Sequence, residues 1–202
     1  MDYFNEYSSH EIECFRKYVN DNAWISGYVK EIIQDNTPLH DILVITNKGK
    51  KFTVEIKEDE NYWFSKTGNI GLDYISSFEF LNFKDKFLYK NLWVPVENIT
   101  EFEKQINVSK YGKLITCDAD FQFYFVLNDN KNDFAFAKLY DNKMLKSIQF
   151  VDYLKQNYRL RINDKKSYGL NDSWESAAFF VNPLEDKKLK ECEINSFEDF
   201  AN

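Results

Sequence analysis

Residues 52–57 alternate in character. Phe52, Val54 and Ile56 fall on one side and Thr53, Glu55 and Lys57 on the other, which is the period of a strand. The preceding run, Asp41-Ile42-Leu43-Val44-Ile45-Thr46, is also strand-like, and Asn47-Lys48-Gly49-Lys50 between the two has the chemistry of a hairpin turn. The parity of that loop matters. An odd number of loop residues sets Asp41 across from Glu55 or Lys57 with the side chains on one face, whereas an even number misses by one.

The same reading gives the other elements. Ser8-Ser9-His10-Glu11 has the form of a capping box opening a helix with Ile12, Phe15 and Val19 on one face, and Asn20-Asp21-Asn22 breaks it. A second helix is expected over 23–34, with Ile25, Tyr28, Val29, Ile32 and Ile33 in a stripe, ended by Asn36-Thr37-Pro38. Leu92-Trp93-Val94-Pro95-Val96 reads as a short edge strand, because Pro95 has no N–H for a ladder. Residues 98–106 read as a helix capped at Thr100, 121–127 and 133–140 as strands, 145–156 as a helix, and 158–162 and 177–181 as strands closing the sheet.

Composition narrows the class. A chain of 202 residues with 44% hydrophobic residues has enough apolar surface for one sizeable core, and 18% aromatics favour strands. The expectation is therefore an α/β domain with a mixed central β-sheet flanked by helices. The net charge of −7 argues against binding nucleic acid through global charge and leaves only local basic patches for that purpose. Cys14, Cys117 and Cys192 are odd in number and lack metal spacing, so three reduced thiols are expected. The N-terminal residues carry no signal-peptide pattern, and no run approaches the roughly 18 apolar residues of a membrane span, which points to a cytoplasmic protein with no membrane partner. There is no phosphate-binding glycine loop, no Gly-x-Ser-x-Gly elbow and no repeat.

The chemistry gathers on the hairpin. Two carboxylates, Asp41 and Glu55, converging beside Lys57 make a hard-oxygen site suited to Mg²⁺ or Mn²⁺, with the lysine placed to orient a water or offset charge on a phosphoryl group. His40 beside Asp41 is either a second base or a half-exposed loop histidine.

Asp41 followed by Glu55-Ile56-Lys57 resembles the PD-(D/E)xK nuclease superfamily, with His40 in place of the usual proline. The stretch Lys66-Thr67-Gly68-Asn69-Ile70-Gly71-Leu72-Asp73-Tyr74 is similar to a phage and bacterial branch in which K-T-G-N precedes a third strand carrying an acidic residue. Asp118-Ala119-Asp120-Phe121-Gln122-Phe123 and the segment 145–183 resemble later parts of that branch.

The resemblance implies a restriction-endonuclease-like core over 1–184, with 78–115 as an insertion and 185–202 as an acidic C-terminal tail. It implies a metal-dependent DNA endonuclease in which Asp41, Glu55 and the Ile56 carbonyl hold the cation and Lys57 acts on the water or the transition state. Thr67 and Asn69 support the substrate phosphate, Asp73 orients Lys57, and Arg159 and Arg161 with Lys165 and Lys166 face the DNA backbone. The turn at Thr67–Asn69 reads equally well as purely structural. Some members carry a further acid on the first helix, for which Glu11, Glu13 and Glu31 are candidates against the simpler reading of solvated glutamates.

The aromatic run Asn61-Tyr62-Trp63-Phe64 either covers a sheet edge or lines the cleft. Cutting both strands takes two sites, so a homodimer is a further expectation. On this reading Asp41→Ala and Lys57→Ala abolish cleavage and leave the fold intact. The rival is a catalytically inactive nuclease-fold protein serving as a binding or assembly module. A third reading, an acidic mimic of DNA, requires aligned carboxylates, and this chain scatters its acids among lysines.

Overall fold

Helix α1 (Tyr3–Asp21) sets one layer. Ile12, Phe15, Tyr18 and Val19 recur at helical spacing and are buried, while Arg16–Glu13 and Lys17–Asp21 ion pairs occupy the wet side. The computed structural model describes residues 3–34, 40–82, 84–89, 93–166 and 173–196. Among the expectations above, the Asn36-Thr37-Pro38 break, the side chains of Ser8, Ser9, Lys165, Lys166 and Trp174, and the last six residues lie outside the described residues.

The chain divides into two compact units: residues 1–66, 117–145 and 187–202 in unit 1, and residues 67–116 and 146–186 in unit 2. The α/β class is therefore realised with two sheets. The expected single domain over 1–184 is divided, and 78–115 belongs to unit 2 along with a much later segment.

Unit 1 carries a five-stranded sheet of order β1-β2-β3-β7-β8, formed by β1 (Val29–Gln34), β2 (Ile42–Thr46), β3 (Lys51–Glu58), β7 (Phe121–Leu127) and β8 (Phe134–Asp141). The first three strands run antiparallel in sequence, β7 runs parallel to β3, and β8 returns antiparallel. Ile42, Val44, Val54, Ile56, Phe121, Phe123 and Phe125 meet α1 in the core. The β2–β3 turn has the odd length that sets Asp41 across from Glu55. Thr46 N donates to Lys50 O, Gly49 N donates to Thr46 O, and Gly49 takes φ +81, a left-handed value that favours glycine. After α8 (Lys187–Glu191) the chain lies along β8, with Ile194 N donating to Leu139 O and Asp141 N to Cys192 O, so the acidic tail is docked as far as it is described.

Unit 2 carries a second five-stranded sheet of order β5-β9-β10-β4-β6, made of β4 (Ile70–Phe80), β5 (Trp93–Val94), β6 (Ile106–Tyr111), β9 (Leu160–Lys166) and β10 (Ser173–Val181), and all its pairings are antiparallel. As Pro95 predicts, β5 is an edge strand.

Several expected elements are corrected. The helix over 23–34 is a single turn, α2 (Ala23–Ser26), followed by strand β1. Gly27 closes the turn, and Val29, Ile32 and Ile33 are β-branched residues that pair along β2. The aromatic run Asn61-Tyr62-Trp63-Phe64 falls in helix α3 (Asn61–Thr67), anchored by Asn61 Nδ2 donating to Asp129 Oδ1 and by Phe64 packing on Phe136. Helix α1 begins upstream of the Ser8 box, and α4 (Ile99–Lys104) begins before Thr100. The 145–156 helix is split into α6 (Asn142–Leu145) and α7 (Ile148–Asn157), the second opened by Ser147 Oγ accepting from Phe150 N. Residues 113–116 form the short helix α5.

Candidate active site

The β2–β3 ladder pairs Ile42 with Val54, so the next step of the register sets Asp41 across from Glu55. Asp41 N donates to Val54 O (3.1 Å), and Asp41 Oδ2 accepts from Ile56 N (2.6 Å). The carboxylate thus takes the place of the backbone carbonyl that β2 would have offered had it continued. Glu55 points to the opposite side from Val54 and Ile56, where its parallel neighbour on β7 is Gln122, and that of Lys57 is Tyr124. Lys57 Nζ lies 3.1 Å from Glu55 Oε1, and Glu55 is only 3% exposed. The expected trio is brought together, but its glutamate is far more enclosed than the alternation of β3 implies.

Beside Glu55 lies a buried polar row. Gln122 Nε2 donates to Asn142 Oδ1 (2.6 Å), Tyr124 Oη donates to Gln122 Oε1 (3.1 Å), and Asn142 Nδ2 donates to the carbonyls of Cys117 and Ala119. Each amide is satisfied in a place where an unpaired one is costly. Asp120 ties the start of β7 to β3, with Oδ2 accepting from Thr53 N and Thr53 Oγ1.

Of the three first-helix candidates, Glu11 is the one that is not simply solvated. Burial pushes the Glu11 carboxyl up from 4.5 to about 7, and the carboxylates of Asp41, Glu58 and Glu55 add to the shift while Lys57 opposes it. The fields of Asp41, Glu55, Glu58 and Lys57 therefore all reach Glu11, and His10 Nε2 stands 3.8 Å from Glu58 Oε2. One sequence signal was available: Glu11 sits four residues before Phe15, on the flank of the buried stripe of α1 rather than opposite it. Glu58, one residue past the E-x-K run, and Gln122 and Asn142 carried no such signal.

The donor set of hard carboxylate oxygens with one lysine fits a small divalent cation. The convergence is electrostatic rather than a finished coordination shell: among the described residues, no three His, Cys, Asp or Glu side chains are already gathered as ligands.

The Glu11 shift has a stability consequence. A carboxyl that binds its proton more tightly in the folded chain contributes most below its unfolded value, and the contribution is lost as pH rises through about 7. Glu11→Gln is expected to match the parent near pH 4 and to be more stable at pH 8, by about 1–2 kcal/mol after solvent screening at this half-buried position. Urea unfolding at the two pH values measures the difference, and equal midpoint shifts at both would refute it.

Thr67, Asn69, Asp73, Arg159 and Arg161 belong to unit 2. Asn69 N donates to Thr67 Oγ1 (3.2 Å), and Gly68 between them takes φ +67, so the K-T-G-N segment makes a local turn. Asp73 lies exposed on β4, which pairs with β10 and β6 rather than with β3, so no strand ladder carries it to Lys57 as the orienting role would use. Both edges of β3 are already taken, by β2 and β7. Arg161 lies on β9 and Arg159 immediately precedes it, with the buried Leu160 between them. Arg161 lies 5.6 Å from the Trp93 ring centre and 5.7 Å from that of Phe180.

No described helix is long and apolar enough to cross a membrane. Compared with family models, with curated proteins and with solved structures, the chain matches none.

Proposed function

We propose that unit 1 is a restriction-endonuclease-like domain of PD-(D/E)xK type that hydrolyses DNA phosphodiesters with Mg²⁺ or Mn²⁺. The observation that carries the reading is the facing register of Asp41 and Glu55, with the Lys57 ammonium 3.1 Å from Glu55 Oε1; the raised Glu11 carboxyl, on which Asp41, Glu58 and Glu55 act, supports it. The resemblance implies a mixed sheet, and the sheet of unit 1 is mixed, with β3 and β7 parallel, which supports the reading.

Asp41 and Glu55 would hold the cation, with Glu11 the additional acid from the first helix and the Ile56 carbonyl a further oxygen. Bound there, the cation supplies Lewis-acid polarisation of the phosphoryl group and a more acidic water. Lys57 orients that water or offsets charge on the phosphoryl oxygens. Gln122 and Asn142 keep the Glu55 side of the sheet dry and rigid. Glu58 and His10 sit where a proton can be passed to solvent. A homodimer would supply the second site needed to cut both strands.

The test is cleavage of linear duplex, branched and single-stranded DNA with and without Mn²⁺. The expected result is cation-dependent cutting that Asp41→Asn abolishes, because the amide keeps the acceptor for Ile56 N–H but loses the charge. No cutting of any of these substrates would overturn the reading.

A specific observation favours the second reading, an inactive nuclease-fold binding module. Glu55 is enclosed and already paired with Lys57, and Asp41 already accepts a backbone N–H, so the chain balances these charges by itself. Calorimetric titration with Mn²⁺ separates the two, since a disused site binds no better in the parent than in Glu55→Ala.

A further inference from the structure

Unit 2 contains a pocket of about 460 Å³ lined by Leu88, Tyr89, Trp93, Pro95, Asn98, Glu101 and Gln105. The volume is in the range of small-molecule sites, and the lining has their character, with apolar walls and a few polar groups. The polar groups follow α4: Glu101 lies in the helix and Asn98 and Gln105 cap its two ends, while Ile99 and Phe102 are buried.

The aromatic wall is held from several sides. Trp93, 38% exposed, packs against Phe180 (6.1 Å between ring centres) and Arg161. Tyr89 is buried edge-on against Phe102. The partly exposed indole thus stands at the same pocket as two amides and a carboxylate.

The hydrogen bonds in the wall decide what these polar groups can recognise. Tyr89 Oη donates to Gln105 Oε1 (2.8 Å), so the amide nitrogen of Gln105 is the end left to meet a ligand, and it is a donor. Glu101 offers only acceptors. Its carboxylate joins that of Asp85 in raising the already desolvated Tyr89 hydroxyl, which places its field at the same pocket. Its protein partner is Lys104 Nζ at 3.4 Å, on the exposed side. A ligand that fits has a flat ring for Trp93, an acceptor for Gln105 and two adjacent N–H groups for Glu101. Of the four bases, guanine alone presents an oxygen next to two neighbouring N–H donors on one edge. Adenine and cytosine offer the carboxylate a single amino group, and thymine a single ring N–H.

We propose that this pocket takes an unpaired guanine base, with its ring on Trp93, its N1–H and 2-amino group on the Glu101 carboxylate and O6 facing the Gln105 amide. The proposal goes beyond the hydrolytic reading and stands whether or not unit 1 cuts DNA.

Calorimetry on the full chain in EDTA, so that no cation takes part, compares oligothymidylates carrying one central dG, dA or dC, and guanosine 5′-monophosphate alone. The dG oligonucleotide is expected to bind about 5- to 100-fold more tightly than the dA one, the span that a good bidentate contact provides. Binding of the mononucleotide as well would identify a free nucleotide as sufficient. Glu101→Gln is expected to bring the dG and dA affinities within about 2-fold of each other, since an amide cannot accept both N–H groups. Trp93→Ala is expected to weaken every oligonucleotide about 5- to 100-fold through lost stacking. Glu101 is exposed, so its variant folds even if Trp93→Ala does not. Equal affinity for all bases in the parent chain, or a dG preference unchanged in Glu101→Gln, would overturn the proposal.

Discussion

Phe123→Ala is expected to destabilise unit 1 by about 3–5 kcal/mol, a fifth or more of the roughly 5–15 kcal/mol that holds a typical domain folded. Phe123 is fully buried in the middle of β7. Its ring meets Phe15 edge-on at 5.2 Å and Tyr18 at 4.7 Å, both on α1, and stacks on Phe125 at 5.4 Å. Phe134 on β8 meets it at 6.3 Å. One side chain therefore joins the helix to two strands, and truncation leaves a cavity that a sheet hydrogen-bonded on both sides of β7 cannot close. Urea unfolding followed by far-ultraviolet circular dichroism measures the loss. Phe123→Leu, which keeps most of the volume, should lose far less, and a loss below about 1 kcal/mol for the alanine variant would mean that α1 is not docked on this face.

Lys57→Ala is expected to lower both stability and activity. Glu55 is enclosed and its Oε1 is 3.1 Å from the Lys57 ammonium, so removing the lysine leaves a carboxylate in a place where water cannot replace the partner. Breaking an enclosed pair costs about 3–5 kcal/mol, and because Lys57 keeps some contact with solvent the expected loss here is about 2–4 kcal/mol. The sequence-based expectation that this variant keeps its fold intact is therefore revised. The double variant Glu55→Gln/Lys57→Met should recover most of the loss, because neither charge is then stranded. If the domain is the proposed nuclease, the cleavage rate of Lys57→Ala also falls by about 10²–10³-fold, the scale of losing one preorganised electrostatic group. Measuring cleavage at a temperature where the variant is fully folded separates the two effects. An unfolding midpoint equal to that of the parent chain would refute the stability argument.

The reach of local pattern is clearest at β1 and β4. In 29–34 the apolar positions Val29, Ile32 and Ile33 satisfy a helical stripe, and the pairing with β2 across the turn turned the segment into a strand. In β4 the alternation is legible, with Asn69, Gly71 and Asp73 on one face, but nothing local says which neighbour it takes. Its partners, β6 and β10, lie about thirty and a hundred residues further on. The site divides in the same way. Asp41, Glu55 and Lys57 were legible because adjacent strands inherit their register from the turn between them. Gln122 and Asn142 were not, because their role follows from β7 closing on β3 across more than sixty residues.

What the amino-acid order determined by itself is a polar hairpin turn over Asn47-Lys48-Gly49-Lys50 and period-two alternation in β3, with a lysine two residues after an acid on the same face. Those are short-range consequences of φ/ψ sterics and strand period, and they need no other part of the chain. Only the folded molecule decided that Glu55 is shut away from water, that Glu11 joins it from α1 with a proton held to about pH 7, and that β4 and the two arginines belong to a different unit. Those outcomes depend on which distant segments bury the most apolar surface together. That is a property of the whole chain, and no window of neighbouring residues contains it.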